Sequence, residues 1–474
     1  MKRFIHIIQT ALFCLLLLAA LSEVSDVLKR KESDVKYRPF MEAGEEFDVL
    51  FMGNSHTVNG IFPMELWDDY GIASYNIAGY GNTIPVSYWA MINAFDYASP
   101  KLMVIDISNV SKENKLTGSS GDLHKALDCY PLSLNKLRAV HDLIDDPAAV
   151  DDDGNSFMDM KWEYLLSLGK YHSRWNDLGR SDFILEPNVQ KGGESIINVA
   201  VPREYQIYEH GYASEEIGFG FVYLRKMIEE CQSRGIEVLL THLPFPTKEY
   251  QQTDANAVRY IAEEYGVNFV DLAYLDQVVD YETDLFDPSS HLNASGGKKV
   301  TDFLGKYIRD HYDIPDRKME ANYSHWNDDF QQYLNKKIED IRWQNSAADM
   351  LMLLHDNDFS LNFFIPEGST LYDSDLLLLL MHNVAREHVF EEDEFIKYSA
   401  SMFPLLTLDE AVWDASAYFL SIDRETGTFT ESLGSEAEAL YAQCFGQDTL
   451  PEEPQLMLLD AKSGEQLLEK ALSI

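Results

Sequence analysis

An α/β fold built on a parallel, doubly wound sheet is predicted by three features of this sequence. Short apolar runs of strand length recur at 49–53, 74–78, 102–107, 238–243 and 269–272. Amphipathic helical patterns alternate with the later runs, and strands separated by single helices pair in parallel through crossover connections. The first three runs lead into polar clusters, "GNSH", "NIAGYGNT" and "DISNV". Such sheets bind ligands beyond the carboxyl ends of their strands, so three polar loops are expected along one rim.

At the N-terminus, Lys2 and Arg3 precede an apolar run from Phe4 to Leu21. That length crosses a bilayer, and the positive flank orients the rest of the chain outside. No A-x-A cleavage site follows, so residues 1–22 are expected to be an uncleaved signal anchor on a cell membrane. Residues 23–46 are charged and aperiodic, which suits a tether. Of four cysteines, Cys14 lies in the apolar run behind a poor lipobox, Ala11-Leu12-Phe13. Cys129, Cys231 and Cys444 show no C-x-x-C pairing and no zinc or redox signature. An exported chain could join two of them; the sequence does not say which.

The helical elements carry their own stop signals. Leu224, Met227, Ile228 and Cys231 recur on one face and end at Gly235; Val258, Ile261, Ala262 and Tyr265 repeat the arrangement up to Gly266. Val300, Phe303, Leu304, Tyr307 and Ile308 make a third such face. The domain is expected over 47–314, with an insertion at about 110–215 acting as a cap. Lys170, His172, Arg174 and Trp175 of that insertion are candidate substrate contacts, alongside an equally simple reading as packed surface. Residues 315–474 read as a smaller α+β domain without evident chemistry. There "LLLLLMHNV" is a buried helix too short to span a membrane, and Asp423 to Gly427 and Asp460 to Gly464 are hairpin turns with glycine at the positive-φ position.

The net charge of -41 among 474 residues excludes a nucleic-acid partner, because an acidic surface repels phosphate backbones and no basic stripe offsets it. "GYGNTI" lacks the third glycine of a dinucleotide fingerprint and follows the second strand rather than the first. No H-E-x-x-H or similar spacing appears, and no metal or cofactor is expected.

Chemistry is expected at Ser55, which ends the first strand between Asn54 and His56. Glycine, asparagine and serine are also ordinary turn residues, and Thr57 at the fifth position breaks the G-x-S-x-G elbow. A serine hydroxyl needs a base and an orienter. "YETDLFDPSSHLNASGGKKV" supplies His291 just before a helix capped by Asn293, with Asp284 and Asp287 close ahead of it.

With these residues in place, residues 46–312 resemble the SGNH, or GDSL-like, hydrolase family. Gly53-Asn54-Ser55-His56 is similar to the block that carries the nucleophile, "NIAGYGNT" to the block with the oxyanion-hole glycine, at Gly81, and "DPSSHLN" to the block with the catalytic histidine, His291. The resemblance implies a flavodoxin-like three-layer sandwich with a Ser55, Asp287, His291 triad and Asn109 completing the oxyanion hole. "DISNV" lacks the family's G-x-N-D pattern, and Pro288 stands where the family has its aspartate, so Asp287 lies one residue further from His291. His56 reads as a turn residue or a substrate contact. The nearest likeness is to membrane-anchored bacterial members of the D-alanyl-lipoteichoic acid biosynthesis type. It implies an extracytoplasmic serine esterase or O-acyltransferase acting on a cell-envelope polysaccharide or teichoic-acid-like polymer, with a membrane-bound acyltransferase as a possible partner. The alternative is a catalytically silent member that binds such a polymer or partner.

Overall fold

The computed structural model describes residues 2–43, 46–110, 116–145, 150, 154, 156–186, 188–200, 207–208, 211–274, 278–281, 283–288, 290–368 and 416–473. Two compact units emerge: Met1–Glu194 with Tyr205–Val278 and Val300–Asn327, and Ser195–Glu204 with Val279–Lys299 and Asp328–Ile474. The expected boundary at 314 is therefore not where the contacts divide. The stretch that carries Asp287 and His291 groups with the C-terminal unit, because its backbone is bonded there. The Ala200 N–H donates to the Leu285 carbonyl at 2.8 Å, and the Val199 N–H to Asp349 Oδ1 at 2.8 Å.

The first unit begins with α1 (Lys2–Leu28) and α2 (Asp34–Ala43). The tether expected at 23–46 is instead largely folded. In α2, Asp34, Tyr37 and Phe40 fall at helical spacing and are buried. Phe40 packs on Phe47 and Tyr75, with ring centroids 5.6 and 5.3 Å away. Lys29 pairs with Asp26 and Asp34 at 2.8 and 2.9 Å, and Arg38 pairs with both at 3.2 and 3.3 Å. Charge density hid an apolar face whose charges are consumed in local pairs.

The sheet strands are β1 (Val49–Met52), β2 (Ser74–Asn76), β3 (Leu102–Asp106), β4 (Glu237–His242) and β5 (Asn268–Asp271). They pair in parallel in the order β2-β1-β3-β4-β5, the flavodoxin-like order. Register is set by pairs such as Leu50 with Tyr75, Phe51 with Val104 and Leu240 with Phe269. β1 and β3 are buried at every position, so their sequences are continuously apolar rather than alternating until the last residue, Asp106.

Helices α3 (Ser55–Gly60), α4 (Pro63–Tyr70) and α5 (Ile84–Ala94) follow the first two strands. The insertion carries α6 (Ser120–Asp128), α7 (Leu134–Ile144), α8 (Lys161–Leu165) and α9 (Leu168–Tyr171). Beyond it come α10 (Phe219–Ser233), α11 (Glu249–Tyr265) and, from Val300 on, α12 (Ala294–His311). α10 stops before Gly235 (φ +73°), and Gly266 (φ +64°) caps α11, where the left-handed conformation suits glycine.

In the second unit, α13 (His325–Trp343, from Asp328 on) and α14 (Ala347–Met350) precede an antiparallel sheet. Its strands are β6 (Phe359–Ile365), β7 (Tyr418–Asp423), β8 (Thr428–Leu433), β9 (Gln455–Asp460) and β10 (Gln466–Ala471), in the order β10-β9-β6-β7-β8. β6 alternates between two buried layers: Leu361 and Phe363 pack with Ile341 and Leu353, while Phe364 packs with Tyr441 and Phe445 of α15 (Gly434–Phe445). Both expected hairpin turns form. Asp423 Oδ1 accepts from the Glu425 and Thr426 N–H groups, Asp460 Oδ1 from those of Lys462 and Ser463, and Gly427 and Gly464 take φ of +64° and +67°. The run at 376–384 lies outside the described residues. All four cysteines are free thiols.

Candidate active site

In the first unit, β1 hands the chain to Gly53, and Asn54 caps α3, its Oδ1 accepting from the His56 N–H at 2.9 Å. Ser55, half-buried, is thus the first helical residue. Gly53 has no room for a side chain: a Cβ would lie 2.1 Å from Thr57 Oγ1 and 2.9 Å from Asp106 Cβ.

The loop after β2 is tied to this turn. The Gly79 N–H donates to the Gly53 carbonyl at 3.2 Å, and Asn76 Nδ2 to the Thr57 and Ile61 carbonyls at 2.7 and 3.1 Å. Asn109, beyond β3, joins through Nδ2, which donates to the Asn82 carbonyl at 2.9 Å. The three polar loops at the carboxyl ends of β2, β1 and β3 are therefore knit together, bringing Gly81 and Asn109 onto the rim that carries Ser55.

Gly81 takes φ +70°, and a Cβ there would lie 2.4 Å from Asp122 Cγ. Gly81→Ala is expected to distort this loop, lowering kcat on the order of 10²-fold if its N–H serves the oxyanion. Hydrolysis assays and a circular-dichroism melt of the variant check this; unchanged kcat removes Gly81 from the chemistry.

His56 stacks on Phe245, in the loop after β4, with ring centroids 4.2 Å apart. Phe245 and Asp106 were not singled out from sequence. Asp106 is buried at the end of β3, its Oδ1 accepting from the Leu243 N–H and the Ser108 hydroxyl at 3.1 and 2.9 Å. Burial pushes its pKa upward. The signal available was an acid closing a wholly apolar strand.

Beside the β2 loop lies a cavity of about 270 Å³ whose lining includes Lys36, Tyr80, Asn82 and Glu194. Lys36 Nζ donates to the Ala78 carbonyl at 2.5 Å, and burial pulls its pKa down to about 7. Tyr80 donates to Glu194 Oε2 at 2.6 Å, which braces the loop.

Two of the insertion residues, Arg174 and His172, meet backbone carbonyls. Arg174 donates to the Leu28 and Lys29 carbonyls at 2.6 and 2.8 Å and pairs with Asp182 at 2.7 Å. It therefore secures the end of α1, as a guanidinium suits helix-terminal carbonyls. His172 Nδ1 is 2.9 Å from the Gly169 carbonyl.

In the second unit, two backbone bonds bring the ends of the segment carrying Asp287 and His291 together. The Phe286 N–H donates to the His291 carbonyl at 3.1 Å and the Asn293 N–H to the Asp284 carbonyl at 2.9 Å. Within it Asp287 Oδ2 is 2.5 Å from His291 Nδ1, while Asp287 Oδ1 accepts from the Ser290 N–H at 2.9 Å. The two side chains meet although one residue more separates acid from histidine than the sequence block resembled would have. An Nδ1–H held by a carboxylate leaves the lone pair of the neutral ring on Nε2, the state a general base needs.

Asp284 has a different employment. Fully buried, it takes Lys299 Nζ at 2.8 Å on each oxygen and also accepts from the Ser295 hydroxyl at 3.0 Å and the Asp280 N–H at 2.7 Å. Asn293 caps α12, accepting from the Gly296 N–H at 3.0 Å. Among the described residues, no group of three or more His, Cys, Asp or Glu is arranged to hold a metal ion.

No family model matches the chain, and no curated protein matches it. Among solved structures it is similar to a Bacteroides fragilis protein assigned as an acylhydrolase, at 12% identity and TM-score 0.28, over 58% of this chain and 97% of that one. A GDSL-like lipase from Bacteroides thetaiotaomicron is similar at 12% identity and TM-score 0.28, over 58% and 98%. The acetyl xylan esterase Est2A of the rumen bacterium Butyrivibrio proteoclasticus is similar at 8% identity and TM-score 0.24, over 56% and 64%. At these scores the reading of the chain rests on its own sheet order and side chains.

Proposed function

We propose that the chain is an SGNH-type serine esterase or O-acyltransferase, anchored by α1 and acting outside the cytoplasm. Its substrate is an acyl group, acetyl or D-alanyl, on a cell-envelope polysaccharide or teichoic-acid-like polymer. The observation that carries this reading is the Asp287–His291 pair at 2.5 Å, with the neighbouring Asp284 engaged by Lys299.

Ser55 Oγ attacks the ester carbonyl as His291 Nε2 takes its proton, and Asp287 steadies the imidazolium that forms. The Gly81 N–H and the Asn109 amide stabilise the oxyanion. Collapse breaks the bond to the alcohol oxygen, which leaves with the proton from His291, and the acyl group stays on Ser55. Water or a glycan hydroxyl then attacks this ester, giving its proton to His291, and Ser55 is released with the proton restored.

A fluorophosphonate probe on the membrane-extracted chain tests the reading, since an activated serine is what it labels. Labelling is expected, with weak hydrolysis of aryl acetates and acyl transfer when an envelope glycan is supplied. Fast hydrolysis indifferent to glycan narrows the activity to an esterase. A folded chain that takes no label is a binding protein instead.

A further inference from the structure

We propose that residues 168–186 form a second membrane contact beside α1, seating Trp175, Phe183 and Ile184 in the interfacial layer of the bilayer. This rests on the reading of α1 as a membrane anchor. α1 is a helix of 27 residues, about 40 Å long at 1.5 Å per residue, against about 30 Å of hydrocarbon. The apolar run stops at Leu21, so Leu28 stands about 10 Å further on, at the outer edge of the headgroup layer.

That end of α1 is the part held by 168–186. The Leu168 N–H donates to Ser25 Oγ at 2.9 Å, and Arg174 donates to the Leu28 and Lys29 carbonyls while pairing with Asp182. Trp175 follows Arg174 directly and Phe183 follows Asp182, so both rings are carried one residue from the clamp that grips the helix. Trp175, Phe183 and Ile184 are 67%, 64% and 56% exposed. Single exposed apolar side chains are ordinary; three in one short segment at the foot of a membrane helix are what an interfacial contact needs.

Charge agrees with this choice of occupant. The chain carries -41 overall, which repels an anionic lipid surface. Residues 168–186 balance Lys170, Arg174 and Arg180 against Asp177, Asp182 and Glu186, and so present a locally neutral face. Such a seat holds the first unit close to the bilayer, which favours membrane-proximal substrates over distant ones.

The test uses the full chain in phosphatidylcholine vesicles, with Phe183→Cys carrying bimane and Cys14 and Cys444 replaced by serine; Trp175→Cys serves as the second labelling site. Lipid bearing a doxyl group near the headgroup is expected to quench both labels about threefold, with protection from aqueous iodide, as for side chains in the interface. Vesicles that float with the chain while both labels stay open to iodide and unquenched by doxyl overturn this contact and leave the anchor standing. A chain that does not float with vesicles overturns the anchor and this contact together.

Discussion

Ser55→Ala is expected to abolish fluorophosphonate labelling and to lower kcat on the order of 10⁶-fold, while the chain keeps its circular-dichroism spectrum. The fold is retained because the cap of α3 comes from Asn54, whose Oδ1 accepts from the His56 N–H, so losing the Ser55 hydroxyl uncaps nothing. His291→Gln is expected to cost about as much as Ser55→Ala, and the double variant no more than either, because nucleophile and base act in one step. Costs that multiply in the double variant would show that the two side chains act independently. Labelling of Ser55→Ala at the wild-type rate would place the nucleophile elsewhere.

The second large effect separates two aspartates three residues apart. Asp287→Asn should lower kcat on the order of 10⁴-fold with the melting temperature little changed, because an amide cannot hold the Nδ1–H tautomer or stabilise the imidazolium. From sequence, Asp284 reads as a brace for the loop, and Asp284→Asn is expected to keep its activity and its fold. The structure adds a cost in stability: Asp284 is fully buried and takes both Lys299 contacts at 2.8 Å. Removing one member of a buried pair strands the other charge, at about 3 kcal/mol. Asp284→Asn should therefore melt markedly earlier, yet retain activity at temperatures where it is folded. Thermal melts and kcat measured on both variants decide the matter; a stable, inactive Asp284→Asn would move the orienting role to that residue.

Much of this was legible in the chain. The five parallel strands lie within a residue or two of their apolar runs, Gly266 caps α11, and the Asp423 and Asp460 turns sit where their glycines place them. Capping by Asn293 was readable for the same reason. The tether was misread because its apolar residues, Tyr37 and Phe40, are outnumbered by charges that pair locally. Arg174 looked available for substrate because nothing near it in sequence shows the helix end it holds.

What the sequence by itself determined are properties settled within a few residues: strand periodicity, helix stops, hairpin turns and the presence of an acid close to His291. Their energetics depend on φ preferences and on hydrogen bonds between near neighbours, so composition and spacing carry them. Only the tertiary structure decided which polar and charged groups are taken from water and with whom. Arg174 meets a carbonyl 146 residues away, Asn109 one 27 residues away, and Asp284 a lysine 15 residues away. A side chain in water can wait for any partner; once buried it must have one, and which partner that is follows from how distant segments pack.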